Sequence, residues 1–454
     1  MINLKINGID VCAEEGMTVL EAARSAGIHI PTLCHLKDFA PEGICRMCVV
    51  HIEGMPKMMT ACTTKVRAGM VVDVNNKHAI DSRRTTLDLI CRNHRMNCDL
   101  CQRYSDCELH ALLTELGMDD RVYERIHHEK EKDESSPAIV RDHSKCILCR
   151  RCEAACSAQG INAIGTLGRA ASTRVGAVVP MPETGCINCG ECLNVCPIGA
   201  LSVKDENKSI RTALNRKKQV VFAISPHTAS EMIHLLGPCD APGEKLARLL
   251  HNMGAAAVFD NRPFYIESAQ EAVKALCRGE KGISPACPAA LKVCDASVLG
   301  RHPEIVFDEW CKGAYAVQNG LAPGDVFTVW VSPCTALKAG HLCDSAMTTT
   351  ELYRFILRAC VSRYTMREVW QRLDGVPYDT AMPLADPCEG IYSIGGAVEH
   401  LARKMGVSPA ILHAEGVPAI RAAAEQDYDY AEFLACSGGC GKNRHSQIKI
   451  EENT

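Results

Sequence analysis

KCILCRRCEAAC at residues 145–156 and GCINCGECLNVCP at residues 185–197 each space four cysteines as C-x2-C-x2-C-x3-C, with Ser157 after the first run and Pro197 closing the second. A zinc ribbon uses fewer thiolates per loop than this. Iron–sulfur cubes consume four, and in tandem runs of this spacing the fourth cysteine of each run serves the other cube. One [4Fe-4S] cluster is therefore expected on Cys146, Cys149, Cys152 and Cys196, and a second on Cys186, Cys189, Cys192 and Cys156. A short apolar segment with Gly, Ile and Ala follows each run, so residues 138–208 read as an internal repeat with two pseudo-symmetric halves.

The rest of the chain extends this reading. Its 454 residues correspond to about three domains at roughly 150 residues each. Lys plus Arg is 50 and Asp plus Glu is 54, a net charge of −4 that gives no global reason to bind nucleic acid or a membrane surface. No run of 18 apolar residues is present, and Met1 to Val11 lacks the regions of an export signal. A cytoplasmic protein is expected, in a compartment where thiols stay reduced. Its 28 cysteines then read as metal ligands rather than disulfides, and 16 of them fall between residues 34 and 196.

Residues 1–79 read as short strands (3–6, 49–52 and 71–74) around a helix from Val19 to Ala26, with Thr18 as N-cap and Gly27 as stop. This small α+β domain carries Cys34-x10-Cys45-x2-Cys48-x13-Cys62, four thiolates suited to a [2Fe-2S] cluster or to zinc. Residues 80–117 look helical and residues 127–136 look like an exposed charged connector. Within the helical stretch, His94-x3-Cys98-x2-Cys101-x5-Cys107 supplies three thiolates that need a fourth ligand. Imidazole is a common one, and His94, four residues before Cys98, can share its helix face; His110 is a nearby competitor. A [4Fe-4S] cluster on His94, Cys98, Cys101 and Cys107 is the expectation. From residue 218 the texture changes. A strand (220–224), a helix after Ser225-Pro226, a helix (243–253), a strand (256–259), a helix to Leu276 and a strand (326–331) indicate an α/β domain over 218–454 with a largely parallel sheet.

With these modules in this order, residues 1–79, 80–120, 138–208 and 218–454, the chain resembles the large multi-cluster [FeFe]-hydrogenase subunits. Its front also resembles the iron–sulfur subunit of respiratory NADH dehydrogenase. The resemblance implies a β-grasp fold and a [2Fe-2S] cluster for the first module, and a shortened hydrogenase-like α/β shell for the last. In that family three motifs hold a cube bridged to a two-iron site bearing carbon monoxide and cyanide. Their counterparts are SPACP at 284–288, SPCTALKAG at 332–340 and LACSGGC at 434–440. They imply a further [4Fe-4S] cluster on Cys287, Cys334, Cys436 and Cys440, for a total of one [2Fe-2S] and four [4Fe-4S] clusters. The same four residues would otherwise be buried small hydrophobes.

The departures fall on groups that serve the two-iron site. Ala286 replaces the family's proton-shuttling cysteine, Leu337 the lysine that bonds cyanide, and Gly340 a glutamate. Lys338 is one residue out of phase and points elsewhere. Ser332 and Leu434 replace methionines, residues 441–445 (GKNRH) replace a glycine-rich tail, and residues 386–396 look like a contracted form of a longer segment. The two-iron site is therefore expected to be absent, with no catalytic residue in this chain. Nine cysteines remain unassigned: Cys12, Cys91, Cys239, Cys277, Cys294, Cys311, Cys343, Cys360 and Cys388. A further metal site involving Cys294, Cys343 or Cys388 is left open.

The expected role is an electron-transfer subunit of an NAD(P)-linked oxidoreductase complex, of transhydrogenase or formate dehydrogenase type, with electron bifurcation as an option. The alternatives are a divergent [FeFe]-hydrogenase and a hydrogen or redox sensor, although neither end carries a signalling module. No Gly-rich nucleotide fingerprint stands out, which places nicotinamide and flavin elsewhere. The resemblance implies a flavin- and NAD(P)-binding subunit and a small thioredoxin-like [2Fe-2S] subunit as partners, with ferredoxin or a formate dehydrogenase subunit as a further one.

Overall fold

The computed structural model describes residues 1–96, 98, 101, 103, 107–123, 130–340, 342–358, 363–379 and 393–436. Cys360, Cys388, Cys440, the tail at 441–445 and most of the contracted segment at 386–396 lie outside the described residues.

Strand β1 (Ile2–Ile6) turns at Asn7-Gly8 into antiparallel β2 (Ile9–Ala13). Both turn residues have positive φ, 52° and 80°, which Asn-Gly supplies at little cost. Helix α1 (Val19–Ser25) starts where the sequence indicates: the Thr18 side chain accepts from Glu21 N–H and the Glu21 carboxylate accepts from Thr18 N–H. Its buried face of Val19, Leu20, Ala22 and Ala23 meets the inward residues of β1 and β2, Leu4, Ile6, Val11 and Ala13. Strands β3 (Val49–Ile52), β4 (Met59–Thr60) and β5 (Val71–Asp73) complete a five-stranded sheet in the order β2-β1-β5-β3-β4.

Two expectations about the next segment change. The stretch at 80–117 is not one helical run but α2 (Lys77–Asn93), closed by His94, and α3 (Glu108–Glu115), opened by Cys107. The connector at 127–136 is not wholly exposed. Within it β6 (Lys132–Asp133) pairs with β7 (Ile139–Asp142), and buried Ser136 accepts from the N–H groups of Ala138 and Ile139. Polar residues bend the chain here by bonding its backbone. Then follow α4 (Arg151–Ala158), the hairpin β8 (Gly165–Leu167) and β9 (Arg174–Gly176), the short α5 (Glu191–Asn194), and β10 (Leu201–Val203), which pairs with β7. Helix α6 (Asn207–Asn215) buries Ile210 and Ala213 in the core of the C-terminal domain.

That domain contains two all-parallel sheets. Its first half has β11 (Gln219–Ile224), α7 (Pro226–Leu236), α8 (Pro242–Asn252), β12 (Ala257–Asp260), α9 (Arg262–Cys277), β13 (Gly282–Ile283) and α10 (Pro303–Trp310), which continues through a π-turn into α11 (Ala316–Gln318). The second half has β14 (Val326–Val331), β15 (Ser345–Met347), α12 (Thr349–Leu357), α13 (Arg363–Arg372), α14 (Ile394–Lys404), β16 (Ile411–Glu415), α15 (Val417–Ala423) and β17 (Tyr430–Leu434). The larger sheet runs β12-β11-β14-β15 and the smaller β13-β17-β16. Along β11, Val220, Phe222 and Ile224 face one core while Val221 and Ala223 face another, so the strand reads as a continuous apolar run. The smaller sheet goes unread in the sequence because β13 is two residues long and β16 is half-exposed.

Past β14, Lys338 turns away from the candidate ligands. Its buried Nζ donates to Glu351 Oε1 at 2.9 Å and to the Ala346 carbonyl at 2.8 Å. The Glu351 carboxylate also accepts from Thr348 N–H at 2.9 Å and from Glu206 N–H at 3.1 Å, which ties the start of α12 to the linker before α6. Lys338→Met leaves this carboxylate buried without its cation and is expected to cost about 3–5 kcal/mol. A urea midpoint unchanged from that of the parent would show the pair to be dispensable.

Candidate iron–sulfur cluster sites

The loop before β3 carries Cys34, Cys45 and Cys48, and Cys62, just past β4, joins them. Cys48 Sγ and Cys62 Sγ share a hydrogen bond at 3.3 Å, and Cys45 N–H donates to Cys34 Sγ at 3.5 Å. Within each pair one thiol stabilises the ionised form of the other. Cys34 is lowered to about 6 by Cys45 and Cys48 to about 7 by Cys62, while Cys45 and Cys62 are pushed up. Leu33 N–H also donates to Cys45 Sγ at 3.4 Å, and Arg46 holds φ of 57° between the two cysteines of the C-x2-C turn. Two ready thiolates backed by two more suit a metal cluster.

His94 caps the end of α2 and is 5% exposed. Burial lowers its pKa, so the ring is neutral, and its Nδ1 lies 2.6 Å from the Lys145 carbonyl. Nδ1–H donates there, which leaves the Nε2 lone pair for a metal. Cys98, Cys101 and Cys107 follow, with Cys101 N–H on the Cys98 carbonyl at 2.9 Å and Cys107 at the N-cap of α3. Burial pushes Cys98 up to about 12 and Cys107 to about 11. His110 lies 3.4 Å from Asp120, on α3.

In the repeat, one cavity is lined by Cys146, Cys149, Cys152 and Cys196, and another by Cys156, Cys186, Cys189 and Cys192. The pseudo-symmetry extends to the backbone. Leu148 and Arg150 hold φ of 57° and 62° in the first run; Asn188 and Gly190 hold 58° and 82° in the second. A left-handed leucine costs roughly 1–2 kcal/mol. In return the loop turns N–H groups onto sulfur: Leu148 onto Cys146, Arg151 onto Cys149, Asn188 onto Cys186 and Glu191 onto Cys189. Such bonds tune cluster potentials.

Two arginines escape a reading by cysteine spacing. Arg141 lines both four-cysteine cavities and donates to the Val175 carbonyl at 2.7 Å. Its only signal is strand phase, since it lies two residues from Ile139 on the same buried face of β7. Arg151 makes a two-pronged pair with Glu108 at the start of α3, 2.8 Å on each arm, and its charge reaches Cys34 and Cys149. Both offset the negative charge that clustered thiolates bring.

In the C-terminal domain Cys287 is buried in an apolar core against which the partly buried Cys334 packs, and Cys436 follows two residues after β17. Ala435 N–H donates to Cys287 Sγ at 3.4 Å, and Cys436 Sγ lies 3.9 Å from the Cys189 carbonyl. Cys334 receives N–H groups from Ala336 and Leu337, although burial dominates and pushes it up to about 12. Cys287 and Cys334 themselves line a cavity of about 380 Å³, with Ala286, Leu337 and Ser332 in the same wall. Behind it, fully buried Glu304 accepts from Cys343 Sγ at 3.0 Å, and burial pushes its carboxyl up to about 7.

The candidate sites share their packing. One core contains Cys34, Cys45, Cys98, Cys107, Cys146, Cys152, Cys192 and Cys196. A second contains Cys152, Cys156, Cys186 and Cys192, and a third contains Cys189, Cys287 and Cys334.

Three family models match: a 2Fe-2S iron–sulfur cluster binding domain over residues 1–77, an NADH-ubiquinone oxidoreductase-G iron–sulfur binding region over 83–121, and a 4Fe-4S dicluster domain over 145–200. NADP-reducing hydrogenase subunit HndD of Solidesulfovibrio fructosivorans is 30% identical over 373 residues, 74% of this chain and 63% of that protein. The alpha subunit of NADPH-Fe(3+) oxidoreductase from Geobacter sulfurreducens is 35% identical over 205 residues, 45% of this chain and 24% of the relative. The 75 kDa subunit of NADH-ubiquinone oxidoreductase from Reclinomonas americana is 28% identical over 205 residues, 45% and 30% respectively. The chain thus spans less than two thirds of these relatives. Among solved structures, an NAD+-reducing [NiFe]-hydrogenase chain matches at TM-score 0.43 and 29% identity, covering 45% of this chain and 88% of that one. An [FeFe]-hydrogenase HydA matches at 0.37 and 16%, covering 54% and 85%. Among the described residues, no helix is long and apolar enough to cross a membrane.

Two outcomes are expected of this geometry. His94→Ala is expected to lose the iron of one cube while the other clusters' absorption persists, with recovery in His94→Cys and no change in His110→Ala, read by iron analysis and electron paramagnetic resonance. Because Glu304 has a raised pKa, the stability it confers is complete below its ordinary value of 4.5 and fades as pH rises through about 7. The urea midpoint should fall across that window by the equivalent of about 3 kcal/mol and stay level in Glu304→Gln.

Proposed function

We propose that this chain, a divergent hydrogenase-like relative of iron–sulfur subunits of NAD(P)-linked oxidoreductases, is the electron-transfer subunit of such a complex and has no hydrogen chemistry of its own. The proposed ligand sets are Cys34, Cys45, Cys48 and Cys62 for one [2Fe-2S] cluster, and four further sets for [4Fe-4S] clusters. These are His94, Cys98, Cys101 and Cys107; Cys146, Cys149, Cys152 and Cys196; Cys186, Cys189, Cys192 and Cys156; and Cys287, Cys334, Cys436 and Cys440. Bound clusters supply one-electron transfer at potentials tuned by burial and N–H donors. The chain's own residues hold the sulfurs, exclude water, and neutralise charge through Arg141 and Arg151.

One observation carries the reading: candidate sulfurs from every module pack against three cores in turn, with Cys152 and Cys192 common to the first two, Cys189, Cys287 and Cys334 in the third, and Cys436 Sγ 3.9 Å from the Cys189 carbonyl. At the far end, Ala286 and Leu337 offer neither a proton nor a hydrogen bond to the cavity. Proposed partners are a flavin- and NAD(P)-binding subunit, a small thioredoxin-like [2Fe-2S] subunit, and ferredoxin or a formate dehydrogenase subunit, in the cytoplasm.

A second reading, a divergent [FeFe]-hydrogenase, draws on the persistence of that cavity. Infrared spectra of protein made alongside the hydrogenase maturation machinery separate the two. No bands of iron-bound carbon monoxide or cyanide are expected, and their presence would favour the hydrogenase. Ala286→Cys, Leu337→Lys and Gly340→Glu combined should still evolve no hydrogen. Mixed with its purified partners, the loaded chain should bleach on addition of NAD(P)H; absorption that stays unchanged removes the main support.

A further inference from the structure

The tandem repeat is symmetric in its backbone and asymmetric in its charge. Between the second and third cysteines of each run stand two residues, Arg150 and Arg151 in the first and Gly190 and Glu191 in the second. Arg150 and Gly190 both hold left-handed φ, 62° and 82°, and Arg151 and Glu191 each open a helix, α4 and α5. One place in the fold thus carries opposite side-chain charge in its two copies. The cavities differ in the same sense. That of Cys146, Cys149, Cys152 and Cys196 has Arg141 and Arg150 in its wall and, among the described residues, no carboxylate. That of the other four cysteines has Arg141 together with Asp133 and Glu191. Arg141, common to both, favours neither.

Burial decides which of these charges counts. Arg150 is spent on Glu153 and Glu42, at 3.0 and 2.9 Å, and is half-buried. Arg151 has a 6% exposed side chain, whereas its partner Glu108 is 32% exposed and therefore screened by water. The net cation on the sulfur side is Arg151, and arginine stays charged at any working pH. Burial raises the thiols of both Cys149 and Cys189; the Arg151 charge opposes this at the first, and the Glu191 charge adds to it at the second. On its other side Arg151 also acts on Cys34. A reduced cluster carries one more negative charge than an oxidised one, so a nearby cation raises its potential and a nearby anion lowers it.

We infer that the cube of Cys146, Cys149, Cys152 and Cys196 is the more readily reduced of the repeat's two and acts as its electron store, with Arg151 and Glu191 as the residues that set the order. The inference rests on the ligand sets proposed above. Dithionite titration of the cluster-loaded full chain, one electron per centre, followed by electron paramagnetic resonance, tests it. Arg151→Gln should lower the midpoints of the [2Fe-2S] centre and of one cube together, and Glu191→Gln should raise the midpoint of a different cube. In the parent chain the first of these cubes should lie above the second by about tenfold in reduction equilibrium, about 59 mV for one electron. Arg151→Lys, which keeps the charge, should restore both midpoints lost in Arg151→Gln, a rescue that a purely structural role would not tie to charge. The second cube reducing first, the two reducing level, or every midpoint unmoved in Arg151→Gln would each overturn the proposal. Were Arg151→Gln not to fold, Glu191→Gln still marks the second cube, magnetic coupling between neighbouring reduced cubes marks its companion, and their order in the parent decides. A loaded chain without the [2Fe-2S] signal or without coupled cubes would instead overturn the ligand sets beneath the inference.

Discussion

Thiolates repel one another, and a protein that gathers four of them in a buried loop must compensate that charge from its own backbone and side chains. Much of this structure follows from that constraint. The C-x2-C turns adopt left-handed conformations at Arg46, Leu148 and Asn188. In the tandem runs N–H groups two residues beyond a cysteine bond back to its sulfur. Arg141 and Arg151 give up most of their solvent for the same end, and Arg151 recovers part of that cost through the carboxylate of Glu108.

The C-terminal domain obeys a different rule. There two parallel sheets end against a shared cavity whose lining combines helix starts, apolar side chains and the candidate ligands Cys287 and Cys334. Lys338 illustrates how this shell departs from the hydrogenase-like motif its sequence resembles. One residue out of phase with the position that would face the cavity, it is absorbed into a buried pair with Glu351 that fastens α12 to the preceding domain's linker. Leu337 takes the cavity-facing place.

The cysteine runs were legible in the sequence because cluster ligation constrains spacing tightly, and the Thr18 cap and the two-sided strand β11 were legible because their patterns are local. Arg141 and Arg151 were not: an arginine's burial depends on which carboxylate or carbonyl lies opposite, and Glu108 and Val175 are distant in sequence. Leu148 gave no warning of its left-handed backbone, since neither glycine nor asparagine stands there. The smaller sheet stayed hidden because β13 and β17 pair across a separation of well over a hundred residues. Ser136 turned an apparent charged linker into an ordered one through bonds that composition does not encode.

The core that holds Cys34, Cys98, Cys146 and Cys192 together has a consequence for biogenesis. The first module keeps a core of its own, but a second core joins its Leu33, Cys45 and Met47 to residues of the two modules that follow. Were the proposed clusters bound there, filling one loop with iron and sulfide would firm walls that its neighbours share. Under scarce iron, loss of one cluster would then loosen the adjoining sites without emptying them, and partly loaded chains would persist.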